Sequence, residues 1–127
     1  MNAEETIRDY YGALRRGDPL YPYFAERPNV VKFGVGERLV GYDAIEDGLR
    51  TQTRTTENWT VESRALRVVG DDDHAHFSDS VRMAWTDTTR DHEYDLSTRW
   101  SGSLERRGDD GDWLFVGMHV STPYVDG

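Results

Sequence analysis

Apolar positions recur at helical spacing at the start of the chain. Ala3, Ile7, Tyr10, Tyr11 and Leu14 fall on one face, with Glu4 and Glu5 in the first turn and Arg15 and Arg16 in the last. This predicts a first helix that opens at Asn2, spaced with Glu5 as a capping box, and closes at Gly17 before Asp18-Pro19. Tyr21 to Phe24 reads as a short second helix. Val30, Val31, Phe33 and Val35 read as a strand, followed by a turn through Glu37-Arg38. A further helix is expected from Asp43, paired with Glu46 as a second cap, along the stripe Ile45 and Leu49 to Thr55. From Asn58 the period changes to two, which predicts antiparallel strands over 59–69, 75–86, 93–106 and 113–121. Turns rich in Asp, Gly and Thr separate them at 70–73, 87–91 and 108–111.

Helices that precede and flank one strand, followed by a run of antiparallel strands, give an α+β class: a curved antiparallel sheet wrapped around N-terminal helices, an α+β cone. The length of 127 residues fits a single domain over 1–127. Five segments carry a resemblance. They are Ile7-Arg8-Asp9-Tyr10-Tyr11, Val30-Val31-Lys32-Phe33-Gly34, Leu39-Val40-Gly41-Tyr42-Asp43-Ala44-Ile45, Arg99-Trp100-Ser101, and the ending from Asp112-Trp113-Leu114 through His119-Val120-Ser121-Thr122-Pro123. In this order the chain resembles the nuclear transport factor 2-like superfamily, and within it the SnoaL-like group, over nearly its whole length. The resemblance implies a cystatin-like cone, a scaffold shared by isomerases, cyclases, dehydratases and non-catalytic binding or assembly domains.

Charge narrows the partners. Fifteen basic against twenty-four acidic residues give a formal charge of -9, which repels phosphate backbones and anionic membrane surfaces, so neither nucleic acid nor membrane is expected as a partner. The basic set is fourteen Arg and one lysine, Lys32, and Asp outnumbers Glu, a balance that suggests a salt-rich cytoplasm. With no cysteine there is no thiolate nucleophile, disulfide framework or cysteine metal site. No basic leader or long apolar run opens the chain, so a cytoplasmic location is expected. Gly34-Val35-Gly36 is not followed by a helix opening and no Gly-x-Ser-x-Gly occurs, so neither a nucleotide cofactor nor a serine hydrolase is indicated. His74 and His76 lack a third ligand at convincing spacing. No metal and no cofactor are expected.

Candidate chemistry follows from strand parity. Phe77, Asp79, Val81, Met83 and Trp85 share a face, which puts the Asp79 carboxylate in apolar surroundings suited to proton transfer, or else pairs it structurally with a buried arginine or tyrosine. His119 and Ser121 fall on the parity of Trp113, Phe115 and Gly117. The opposite parity, Leu114, Val116, Met118 and Val120, is also apolar, which leads to the expectation of a homodimer through the sheet. The resemblance places His119 and Ser121 on the pocket side and assigns Arg99 to an anionic substrate or to Asp79. Parity instead sets Arg99 with Asp95, Ser97 and Ser101, so either a bulge shifts the register or Arg99 faces outward. Tyr10 and Tyr11 lie on the inner stripe of the first helix, each with a hydroxyl that needs a partner. Phe33, Trp59, Trp85 and Trp100 are expected to line or plug the cone. Together these readings point to a domain that binds a small organic molecule. In it Asp79 abstracts a proton next to a carbonyl without a cofactor and His119 or a tyrosine stabilises the oxyanion, and the alternative is a non-catalytic ligand-binding or oligomerisation domain.

Overall fold

The computed structural model describes residues 1–107 and 111–123. The first helix, α1 (Ala3–Arg16), opens with the expected reciprocal cap: the Asn2 side chain accepts from the Glu5 backbone, and the Glu5 carboxylate accepts from the Asn2 N–H at 2.9 Å. A single 3-10 turn follows at Tyr21–Tyr23. Strands β1 (Val31–Gly34) and β2 (Glu37–Val40) form a hairpin, so the segment read as a turn at Glu37-Arg38 is a strand and the turn is Val35-Gly36. The second helix, α2 (Tyr42–Thr55), starts one residue earlier than Asp43. Its cap is Gly41, which has no side chain to accept from the first turn; its N–H donates to the Val30 carbonyl at 2.7 Å.

Five strands complete the chain: β3 (Thr56–Ser63), β4 (Arg67–Gly70), β5 (His74–Asp87), β6 (His92–Arg107) and β7 (Asp112–Ser121). Residues 108–110 of the last expected turn lie outside the described residues. The seven strands form one sheet, ordered β2-β1-β7-β6-β5-β3 with β4 beside β5, antiparallel except where β1 runs parallel to β7. Its two ends do not pair, and both helices pack on the inner face, as expected of an open α+β cone.

The expected strand 59–69 is broken in two. Ser63 pairs with Val81 and Arg67 with Ser78, four steps on one side against three on the other, so the chain leaves the ladder between them. A second irregularity sits on β7. Ser103 pairs with Gly117 but Leu104 with Phe115, which leaves Val116 as an extra residue and inverts the alternation beyond it. Phe115, Met118 and Val120 therefore all face inward, whereas His119 is exposed and Ser121 half-exposed on the outer face.

The core is built by the predicted stripe of α1. Ile7, Tyr10, Tyr11 and Leu14 are buried against Trp100, Phe115 and Val81 of the sheet, with Ile45 and Leu49 of α2 closing the other side. Tyr10 sits edge-on to four rings, those of Tyr23, Phe24, Trp100 and Phe115, at 5.3–6.1 Å. Arg15 fixes the end of α1 to β3 by donating from two nitrogens to the Val61 carbonyl, the shorter at 2.7 Å.

Candidate functional site

Strand β1 turns its one lysine inward. Pairing sets Lys32 beside Met118 and Phe33 beside His119, so Lys32 is buried and Phe33 lies on the outer face, the reverse of the parity expected from Val30 to Val35. The Lys32 ammonium meets the Glu37 carboxylate across the hairpin. Gly34 opposite Glu37 makes this possible, because a Cβ there would overlap the glutamate side chain. The lysine is nearly fully buried, at 7% exposure, while Glu37 keeps 34%. A charge so placed is held by its counter-ion, since an unpaired buried ammonium would be strongly destabilising.

This pair lines a cavity of about 120 Å³ inside the cone. Trp59 and Trp85 stack at 4.8 Å along one wall, Tyr94 stacks behind Trp85 at 4.9 Å, and Trp100, Met83 and Gln52 complete it. The indoles are fixed from behind: Trp59 donates to Thr56 Oγ1 and Trp100 to Thr98 Oγ1, each at 3.0 Å. Tyr10 also lines the cavity. Its hydroxyl is pushed well above the usual phenol range by burial and then by the nearby Glu37 and Tyr23, and it makes no hydrogen bond among the described residues. Among the described residues the fully buried side-chain atom left without a partner is Arg27 Nε, so the Tyr10 hydroxyl is not sealed off but opens to the cavity, where solvent or a ligand can meet it. Lys32 and Tyr10 can donate to a developing oxyanion and Glu37 can accept a proton, a set that needs no cofactor.

Asp79 points inward, as its parity predicts, and is held by three donors. Its carboxylate accepts from the Tyr11 hydroxyl at 2.9 Å, the Ser63 hydroxyl at 2.6 Å and the Ala65 N–H at 2.9 Å. It thus ties α1 to the gap where β3 and β4 leave the ladder. Burial, and then the Asp79 charge and hydrogen bond, push the Tyr11 hydroxyl above its usual range, so Tyr11 stays a donor. Among the described residues no arginine pairs with Asp79.

The remaining sequence candidates divide between the two faces. Tyr10, Trp59, Trp85 and Trp100 meet at the inner cavity. Arg99, His119 and Ser121 stand on the outer face around an open groove of about 470 Å³, which Asp79 and Trp100 border although their side chains turn inward. Phe33, expected inside, packs against His119 outside, with ring centres 5.6 Å apart. The bulge at Val116 moves His119 and Ser121 away from the cone, and no bulge lies between β5 and β6 to bring Arg99 in. Sequence reasoning missed Lys32, Glu37, Gln52 and Met83 as cavity residues. A sole lysine inside an apolar strand, with a glutamate just past a Gly-Val-Gly turn, was the available signal.

Solved structures share this architecture. A nuclear transport factor 2-like superfamily protein from Salmonella enterica serovar Typhimurium is similar over 97% of this chain and 89% of its own, at 19% identity and a TM-score of 0.82. A ketosteroid isomerase-like protein from Erwinia carotovora atroseptica is similar over 96% of this chain and 94% of its own, at 17% identity and a TM-score of 0.77. A candidate calcium/calmodulin dependent protein kinase II association domain from Xanthomonas campestris covers 96% of this chain and 86% of its own, at 23% identity and a TM-score of 0.77. At these identities the likeness is one of fold. No curated protein matches the chain. The family model of the SnoaL-like domain matches residues 3–125, almost the whole cone, and the chain belongs to the SnoaL-like domain family.

Proposed function

We propose that the chain binds a carbonyl compound about the size of one ring inside the cone and moves a proton on it without a cofactor. The observation that carries this reading is the buried Lys32–Glu37 pair at the wall of an aromatic cavity, beside a Tyr10 hydroxyl with no hydrogen-bond partner among the described residues. An apolar cavity of about 150 Å³ holds benzene, so a volume near 120 Å³ sets the size of the substrate. The stacked Trp59 and Trp85 offer flat apolar surface to a ring. Lys32 and Tyr10 donate to the carbonyl oxygen and stabilise the enolate that forms. Glu37 takes the proton from the neighbouring carbon and returns it further along the conjugated system. The fold shared with a ketosteroid isomerase-like protein is consistent with this class of reaction, by analogy only. Asp79 holds the scaffold in this reading, and His119 takes no part in the chemistry.

Cyclohex-3-enone tests the reading, with tryptophan fluorescence reporting binding and ultraviolet absorbance reporting conversion to the conjugated isomer. Saturable quenching is expected, with conversion lowered about 100-fold or more in Glu37→Gln and also lowered in Tyr10→Phe, which removes only the hydroxyl. Equal conversion in Glu37→Gln overturns the mechanism, and no saturable quenching by this or other monocyclic ketones overturns the site. Quenching without conversion establishes the second reading, a binding domain without turnover.

The expected homodimer loses its first argument, because the bulge turns Met118 and Val120 inward. We place the pairing instead at β2, an edge strand that exposes Val40 (43%) at its far end and leads from the hairpin tip, where Val35 is also exposed. Sedimentation of the protein with Val40→Lys decides it: a dimer that persists unchanged rejects this edge.

A further inference from the structure

The outer face of the sheet holds a recess that the proton-transfer reading does not use. Register builds it in rows: Arg67 of β4, Ser78 of β5, Ser101 of β6 and His119 of β7 stand side by side, and Ser80, Arg99 and Ser121 form the next row. Arg99 thus has a serine opposite it on each neighbouring strand, and Ser97 and Ser101 two places away on its own. Neither Arg67 nor Arg99 makes an ion pair among the described residues. The contrast on the same face is Arg82, held by Asp95 at 2.7 Å and Glu62 at 3.0 Å. In a chain with twenty-four acidic residues, this stretch of sheet surrounds two arginines with hydroxyls and an imidazole instead. Among the described residues the one carboxylate that borders the groove, Asp79, is occupied by donors on the inner side.

We propose that this groove binds a small organic oxyanion, a carboxylate or a phosphate ester. Its side-chain groups are hydrogen-bond donors at the spacing of adjacent strands, about 5 Å, which lets one anion reach an arginine and two hydroxyls together. The volume of about 470 Å³ exceeds a bare inorganic ion and falls in the range of ligand clefts. Phe33, packed on His119 and 37% exposed, gives the organic part an apolar flank. A polyanion is not the occupant, because a net charge of -9 repels it, while a small anion inside the groove meets the local cations first.

Titration of the isotope-labelled protein with benzoate, phenyl phosphate and inorganic phosphate, followed by NMR, tests this proposal. Saturable shifts are expected for the Arg99 Nε–H and the His119 ring, with the Trp59 and Trp85 indoles unmoved, so that the result stands apart from the fate of the inner site. The benzoate and phenyl phosphate arms identify which oxyanion the groove prefers. Arg99→Gln should weaken binding about tenfold or more, and Ser101→Glu, which installs a carboxylate in the groove, should abolish it while both variants keep the wild-type circular dichroism. Shifts that chloride reproduces, binding unchanged in both variants, or a dimer that seals Arg99 and His119 from all three probes would each overturn the proposal.

Discussion

The Asp79 carboxylate accepts from donors on three separate pieces of chain: Tyr11 on α1, Ser63 at the end of β3, and Ala65 in the segment that leads to β4. A hydrogen bond to a charged group contributes about 1.5–3 kcal/mol, and an amide cannot accept at both positions. In Asp79→Asn the NH₂ would face a donor, so a loss of about 2–3 kcal/mol of stability is expected, measured by urea unfolding. An unchanged midpoint with turnover abolished would return Asp79 to a chemical role. Parity alone placed this side chain inside correctly. It said nothing of the donors, which come from residues 68, 16 and 14 positions away in sequence.

At the scale of elements, the bulge on β7 decides which face each side chain serves. Gly102 permits it: a Cβ at that position would overlap the Gly117 carbonyl oxygen and lie 2.8 Å from the Phe77 ring. Gly102→Ala is expected to destabilise the protein by about 1–3 kcal/mol, the usual cost of overpacking, and to shift the amide resonances of Met118 through Ser121. Wild-type shifts along this segment would show that the bulge does not depend on Gly102. Glycines at 102 and 117, each inside an otherwise regular strand, are the sequence's own mark of such an irregularity. They do not say which strand takes the extra residue, and on that choice the orientation of His119 and Ser121 rests. The hairpin β1–β2 makes the same point, since its two-residue turn, and not the alternation of Val30 to Val35, sends Lys32 inward.

For the molecule as a whole, the buried tyrosines set an alkaline limit. Tyr23 is pushed up to about 12, first by burial and then by its hydrogen bond to Asp9 at 2.6 Å, and Tyr10 and Tyr11 are raised further still. A phenol whose folded value is raised contributes stability that is complete below its unfolded value near 10 and is lost as pH rises through the folded value. Stability is therefore expected to fall from about pH 10 upward, with part of the tyrosinate absorbance appearing only as the fold opens. Equal thermal midpoints at pH 9 and 11 would contradict this.

Local patterning was enough for the α+β class, the inner stripe of α1 with its cap, and the inward parity of β5, and it left the facing of Arg99 open. All of these rest on local periods of 3.6 or 2, which need no knowledge of distant residues. Tertiary structure alone decided the break between β3 and β4, the inversion along β7, and the meeting of Lys32, Glu37 and Tyr10 around one cavity. Those depend on how many residues one strand sets against another, a quantity fixed only when the strands pair. The same long-range pairing set two arginines among serines on the outer face, a neighbourhood that alternation along a single strand does not show.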